Sequence, residues 1–158
     1  MAFTYSTLVE AIKDYTNNTE TTFVSQIDLF ISNAEQRILM EVQLPEFRKN
    51  VSGTLSQDNK YLGLPTDFLA PFSLSVFTSD SYHFLINKDV NFLQESYPDI
   101  TEKGRPLYYA IFNSGNLLVA PMPDIDYSME LHYVYSPAGM SSGNTTTWLG
   151  TNAPDALL

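Results

Sequence analysis

The sequence contains no cysteine. That excludes a disulfide framework, a thiolate metal site and a thiol nucleophile. Positive charge is scarce, with 8 Lys plus Arg against 18 Asp plus Glu and a formal net charge of −10. A protein that grips duplex DNA neutralises phosphates with clustered Lys and Arg, so this balance disfavours such a role. The cations also stop early: after Arg105 the chain has Asp124, Asp126, Glu130 and Asp155 but no Lys or Arg. A surface of one sign repels DNA and other polyanions. No apolar run approaches the roughly 20 residues of a membrane-spanning helix, and the start, Met1-Ala-Phe-Thr-Tyr5, lacks the basic region of a signal peptide. The three matches to the glycosylation sequon, at Asn17, Asn50 and Asn144, therefore read as turn chemistry.

Catalytic constellations are equally thin. Only His83 and His132 could act as general bases near neutrality, and no Gly-x-Ser-x-Gly elbow is present. His132 reads as a surface histidine on the outer side of an aromatic strand. The glycines Gly63, Gly104, Gly115, Gly139 and Gly143 are isolated, and none leads into the Gly-Lys-Ser ending of a phosphate loop. Asp124-Ile-Asp126 could offer two carboxylates to calcium, but Pro121 and Pro123 before it favour a plain turn, and the spaced oxygen ligands of a calcium loop are missing. Arg48-Lys49 and Lys60, the nearest approach to a basic patch, read as solvated strand ends. The expectation is a non-enzyme with no catalytic residues, no cofactor and no metal.

What the chain does have is apolar and aromatic: 44% hydrophobic residues, including 10 Tyr and 10 Phe, which is enough to build a core. Its first third has helical periodicity. Thr7 with Glu10 fits a capping box ahead of a helix carrying Leu8, Val9, Ile12 and Tyr15, and Asn17-Asn18-Thr19 breaks that helix. A second helix, capped by Thr21 or Thr22, carries Phe23, Ile27, Phe30, Ile31, Ala34, Ile38 and Val42 at steps of three and four, and ends before Pro45. Phe23, Ile27, Phe30 and Ile38 are the candidate core of this helical hairpin.

From Phe47 the period changes to two. Val51 and Leu55 share one strand face, Gln57–Lys60 turns into Tyr61–Leu64, and Pro65 breaks the ladder. Ser73–Phe77, Tyr82–Leu85, Leu107–Phe112, Asn116–Ala120 and Tyr127–Tyr135 read as further strands. The pair around Ser114-Gly115 is the clearest hairpin. Asp89 caps a short helix over Val90–Tyr97, ended by Pro98. At the end, Asn152 reads as the cap of a helix with Pro154 and Asp155 in its first turn. Four or five residues make no independent helix, so this one is expected either to continue or to dock Leu157 and Leu158 elsewhere. The fold class is α+β: an N-terminal α-helical hairpin (1–46) packed beside a mainly antiparallel β-sandwich with one short helix (47–145), and the beginning of a C-terminal helix (146–158), in one compact unit.

Several segments resemble the head-to-tail adaptor (connector) proteins of short-tailed bacteriophages: Phe3-Thr-Tyr-Ser-Thr-Leu-Val-Glu-Ala-Ile-Lys13, Glu20-Thr-Thr-Phe-Val24, Ile31-Ser-Asn-Ala-Glu-Gln-Arg-Ile-Leu39, Leu64-Pro-Thr-Asp-Phe-Leu-Ala-Pro71, and Thr147-Trp-Leu149 leading to Asn152-Ala-Pro154. The resemblance spans nearly the whole chain. It implies helices from both ends of the chain packed beside a β-sandwich. It also implies a ring, usually of twelve copies, in the virion neck, with the portal above, the tail nozzle or tail fibres below, and DNA passing through without specific binding. Assembly would take place in the host cytoplasm. On this reading Trp148, Leu149, Leu157 and Leu158 are the candidate oligomer or portal interface. The rival reading is a carbohydrate-binding β-sandwich of a phage tail or similar particle, with Tyr108, Tyr109, Tyr133 or Trp148 as stacking platforms for sugar rings.

Overall fold

A computed structural model describes residues 2–42, 44–99 and 101–158. Its helices are α1 (Tyr5–Thr16), α2 (Thr21–Val24), α3 (Ile27–Glu41), α4 (Val90–Ser96) and α5 (Trp148–Asn152). Its strands are β1 (Arg48–Leu55), β2 (Tyr61–Gly63), β3 (Phe68–Thr78), β4 (Ser81–Asn87), β5 (Tyr108–Asn113), β6 (Asn116–Ala120) and β7 (Tyr127–Tyr135). They form two compact units, one from Met1–Leu44 with Pro137–Leu158 and the other from Pro45–Ser136. The α+β class is as the periodicities indicate.

In the helical unit the cap of α1 lies three residues ahead of its expected position. Thr4 is extended and its hydroxyl accepts the Thr7 N–H, while the Thr7 hydroxyl accepts the Thr4 N–H at 2.8 Å. Thr7 thus stands at the third helical position in place of the usual Glu, and Glu10 pairs with Lys13 at 3.0 Å instead. Asn17 ends the helix in the left-handed region, φ 49°, which its short polar side chain tolerates.

The second predicted helix is broken. Ser25 Oγ donates to the Thr22 carbonyl at 2.8 Å and Gln26 N–H to the Phe23 carbonyl at 2.9 Å, so the chain closes a tight turn after α2 and restarts at Ile27. The hairpin is therefore two main helices joined through a one-turn helix. Along α3 the buried positions are Ile27, Ile31, Glu35 and Leu39, each four residues apart. Phe30 lies about 100° around the helix from Ile31 and is 45% exposed, which corrects its assignment to the core. Ile27 is buried as expected, while Ile38, on the flank of the stripe, and Phe23, on α2, are half-buried.

The two chain ends meet in this unit through backbone bonds from Phe3 N–H to Gly150 O at 2.7 Å and from Tyr5 N–H to Thr145 O at 2.9 Å. The terminal helix is also displaced from its expected start. Thr147 caps α5, accepting the Gly150 N–H at 3.2 Å, whereas Asn152 closes α5 and donates its amide to Trp148 O. Pro154 then opens a separate 3₁₀ turn, Pro154–Ala156. The close approach of Phe3 sets the cost of any side chain at Gly150. A Cβ there would run into Met140 Cε and lie 2.7 Å from the Phe3 carbonyl oxygen, which is fixed backbone. Helix propensity alone favours Ala over Gly by about 1 kcal/mol. Overpacking costs about 1–3 kcal/mol, and in so short a helix the clash dominates. Gly150→Ala should therefore lower the urea midpoint; an unchanged or raised midpoint would contradict the packing.

The second unit is a seven-stranded sheet in the order β1-β7-β3-β4-β5-β6-β2. Every pairing between strands is antiparallel except β4–β5, where Ile86 faces Tyr108 and Asn87 faces Tyr109 in parallel. Helix α4 lies in the crossover between those two strands, as a parallel connection requires. Leu55 of β1 and Leu62 of β2, from opposite ends of the sheet order, share one core with Leu74, Val76, Leu85, Leu117, Val119 and Leu131. The sheet is thus curled onto itself, close to a barrel or sandwich.

Along β7 the alternation places Tyr127, Met129, Leu131 and Tyr133 inward, as read from the sequence. β6 is instead a continuous apolar run because both its faces are covered: Leu117 and Val119 face the main core, while Leu118 and Ala120 face Leu93 of α4. Asp89 stands at the start of α4 without the expected side-chain cap. β3 begins five residues earlier than the period indicates, because the sheet absorbs Pro71 at a bulge between Pro71 and Ser73.

Candidate interface surfaces

On the outer face of the sheet, Ser73 Oγ lies 3.1 Å from His132 Nδ1, and His132 Nε2 lies 3.4 Å from Glu130 Oε1. These are the residue types of a hydrolase triad in the right sequence of contacts. The setting does not suit that chemistry. β3 is paired with β7 on one side and β4 on the other, which consumes the backbone donors that a developing oxyanion needs. Glu130 also accepts the Asn50 amide at 3.0 Å, and that bond, followed by the imidazole, holds its carboxyl below the usual range. The row Asn50–Glu130–His132–Ser73 therefore ties β1, β7 and β3 together. His83 accepts from Arg105 at 3.1 Å and lies 3.0 Å from the Thr78 hydroxyl. No cluster of three His, Asp or Glu residues among the described residues could hold a metal ion. Asp126 accepts the Gln57 N–H at 2.7 Å. Asp124 accepts the Tyr127 hydroxyl at 2.7 Å, and burial together with that bond pushes Tyr127 up to about 12. The Asp124–Asp126 turn is a strut.

The Leu64–Pro71 segment has a similar structural task. Asp67 accepts Lys49 Nζ and the Tyr133 hydroxyl, both at 2.8 Å, joining β1 and β7 to the start of β3. The Lys49 bond holds the Asp67 carboxyl below its ordinary range. Nothing local in the sequence announces that clamp, because its partners lie 18 and 66 residues away.

The candidate interface residues separate. Leu149 and Leu157 are buried within the helical unit, Trp148 is half-buried, and Leu158 is 52% exposed. Leu157 docks, whereas Leu158, expected to dock with it, stays exposed. Leu157 lines a groove of about 330 Å³ with Ile12, Phe30, Ile31, Ala34 and Leu158. Of the proposed sugar platforms, Tyr109 and Tyr133 are buried in the sheet core and cannot stack on a ligand, while Tyr108 is half-buried between Phe92 and Tyr97.

The cations divide evenly. Lys13, Arg37, Lys49 and Lys103 pair with carboxylates. Among the described residues the other four have no carboxylate within 4.0 Å, although the chain carries 18 acids. Arg48, Lys60 and Lys88 lie over the rings of Phe72, Tyr61 and Phe92, and Arg105 donates to His83. Of these pairs, Arg48 over the exposed Phe72 ring has the composition of protein-binding surfaces, where aromatics and Arg concentrate.

The sheet unit thus combines exposed and part-buried polar struts with exposed aromatic–cation pairs. No curated protein matches the chain, but the model of the family described as SU10 adaptor protein matches residues 3–158. The match covers all but the first two residues, and the chain belongs to that family of phage adaptor proteins.

Proposed function

We propose that this chain is a head-to-tail adaptor of a short-tailed phage, a non-enzymatic ring subunit in the virion neck between portal and tail. The observation that carries the reading is the adaptor-family match along residues 3–158. The charge distribution supports it: net −10, with no Lys or Arg after Arg105, suits a wall past which DNA slides. In the ring, usually of twelve copies by resemblance, the portal lies above and the tail nozzle or tail fibres below, and assembly takes place in the host cytoplasm. Leu158 and the exposed part of Trp148 are the terminal residues placed to meet a neighbour; Leu149 and Leu157 serve the interior of their own unit. Cryo-EM of assembled particles should find the chain as a closed ring around DNA density at the portal–tail junction. A location elsewhere in the particle, or a lone copy, would overturn the reading.

A further inference from the structure

A pocket of about 250 Å³ opens beside the last turn of α4, over β6 and the edge strand β2. Its floor is apolar and buried, where Leu93 of α4 meets Leu118 and Ala120 of β6. Tyr97 and Tyr61 line its sides, and Tyr61 is 40% exposed. Two loops form the rim, and hydrogen bonds hold both. Asp58 N–H donates to Pro123 O at 3.0 Å, and Lys60 O accepts the Val119 N–H at 2.8 Å. Asn59 Oδ1 accepts the Tyr61 N–H at 3.0 Å. Asp99 Oδ1 accepts the Thr101 N–H at 2.8 Å and the Thr101 hydroxyl at 2.7 Å. Lys103 Nζ then ties one loop to the other through Asp58 at 2.6 Å. A hollow fastened in this way is formed before any ligand arrives, as small-molecule sites usually are.

The lining selects the ligand. Gln94, Glu102 and Lys60 bring side chains that have no hydrogen-bond partner among the described residues. The Asn59 amide nitrogen and the second Asp99 oxygen are uncommitted as well. An anion would face Asp58, Asp99 and Glu102. A cation would meet Lys60, and Asp58 is already neutralised by Lys103. A wholly apolar ligand would bury the rim groups without partners, which is costly. Donors and acceptors around an apolar floor match a neutral ring with a C–H face and several hydroxyls, because each hydroxyl both donates and accepts. The volume lies below the roughly 300–1,000 Å³ of drug-sized sites, so it suits one such ring.

We infer that this pocket binds a saccharide unit, with the sugar's C–H face on Leu118 and Tyr97 and its hydroxyls on Gln94, Glu102 and Lys60. The pocket is complete within one chain and does not depend on ring assembly. It is also distinct from Tyr109 and Tyr133, which are buried in the main sheet core.

The test is saturation-transfer-difference NMR of the full chain with glucose, galactose, mannose, rhamnose and N-acetylglucosamine, paired with a glycan array. At least one saccharide is expected to bind, with its ring C–H protons saturated most. Glu102→Ala, at an exposed position, should weaken that binding by about tenfold or more, the scale of a lost hydrogen bond to a charged group. Gln94→Ala should weaken it less, and both variants should keep the urea midpoint. N-acetylarginine amide, offered in parallel as a cationic probe, should not bind. The assignment is overturned if no saccharide of the panel or the array binds, or if binding survives both substitutions unchanged. Binding of the arginine probe in place of the sugars would make the pocket a cation site and overturn it too.

Discussion

Leu131→Ala is expected to lower the unfolding free energy by about 2–5 kcal/mol, the range for a buried leucine truncated in a core that cannot collapse around the gap. Leu131 is fully buried at the middle of β7, opposite Val51 on β1 and Leu74 on β3. Its position is over-determined. Three paired strands fix the surrounding backbone, so the cavity stays open and the lining side chains lose their contacts. Leu69→Ala, at a 38% exposed position on β3, should stay within about 1 kcal/mol of the original chain. Urea unfolding monitored by fluorescence and circular dichroism gives both numbers. A shift of less than about 1 kcal/mol for Leu131, at unchanged slope, would show that the sheet does not close around it.

That prediction concerns the part of the molecule the sequence describes best. Alternation along Tyr127–Tyr135 identifies the buried face before any coordinates, because a half-buried strand writes its environment at a period of two. The hairpin of β5 and β6 is legible for the same reason, with Gly115 marking the turn. Legibility ends where a residue's partner is remote. Asp67 looks like a turn residue after Pro65, and its neighbours Lys49 and Tyr133 are set by the sheet register alone. The parallel contact of β4 with β5 leaves only a short apolar helix between two strands as its trace. Phe30 misleads in the opposite direction. Its spacing is helical and its side chain apolar, but the break at Ser25–Gln26 restarts the helix, and the buried line runs through Ile27, Ile31, Glu35 and Leu39. The terminal leucines line one groove, but one lies buried and the other exposed, a division that two identical side chains cannot announce.

Glu35 is the residue that the sequence conceals most fully, and removing it should be costly. In an amphipathic helix a glutamate reads as solvent-facing, yet Glu35 is 4% exposed. Its carboxylate accepts the Met140 backbone N–H at 2.8 Å and the Thr147 hydroxyl at 3.3 Å, across 105 and 112 residues of chain. It therefore fastens the loop after Pro137 and the cap of α5 to the middle of α3. Gly139 permits the approach, since a Cβ there would lie 2.7 Å from Glu35 Oε2. Glu35→Ala leaves the Met140 N–H buried without a partner, at about 1–3 kcal/mol, and adds a cavity beneath the loop. A total loss of about 2–4 kcal/mol is expected, with hydrogen exchange at Met140 rising to the level of an exposed loop. The charge brings a pH dependence whose sign follows from the direction of the shift. Burial raises the Glu35 carboxyl above its ordinary value, against the two hydrogen bonds that lower it. The folded state thus holds the proton more tightly than the unfolded chain. This contribution to stability is fully present below the ordinary glutamate value and is lost as pH rises through the raised one. Glu35→Gln removes the titration while retaining an acceptor for Met140. The stability of the original chain relative to Glu35→Gln should fall as pH rises from that ordinary value through the raised one, and then level off. Urea midpoints that run parallel for the two chains across that window would show that the Glu35 carboxyl binds its proton equally well in the folded and unfolded chain, against the raised value.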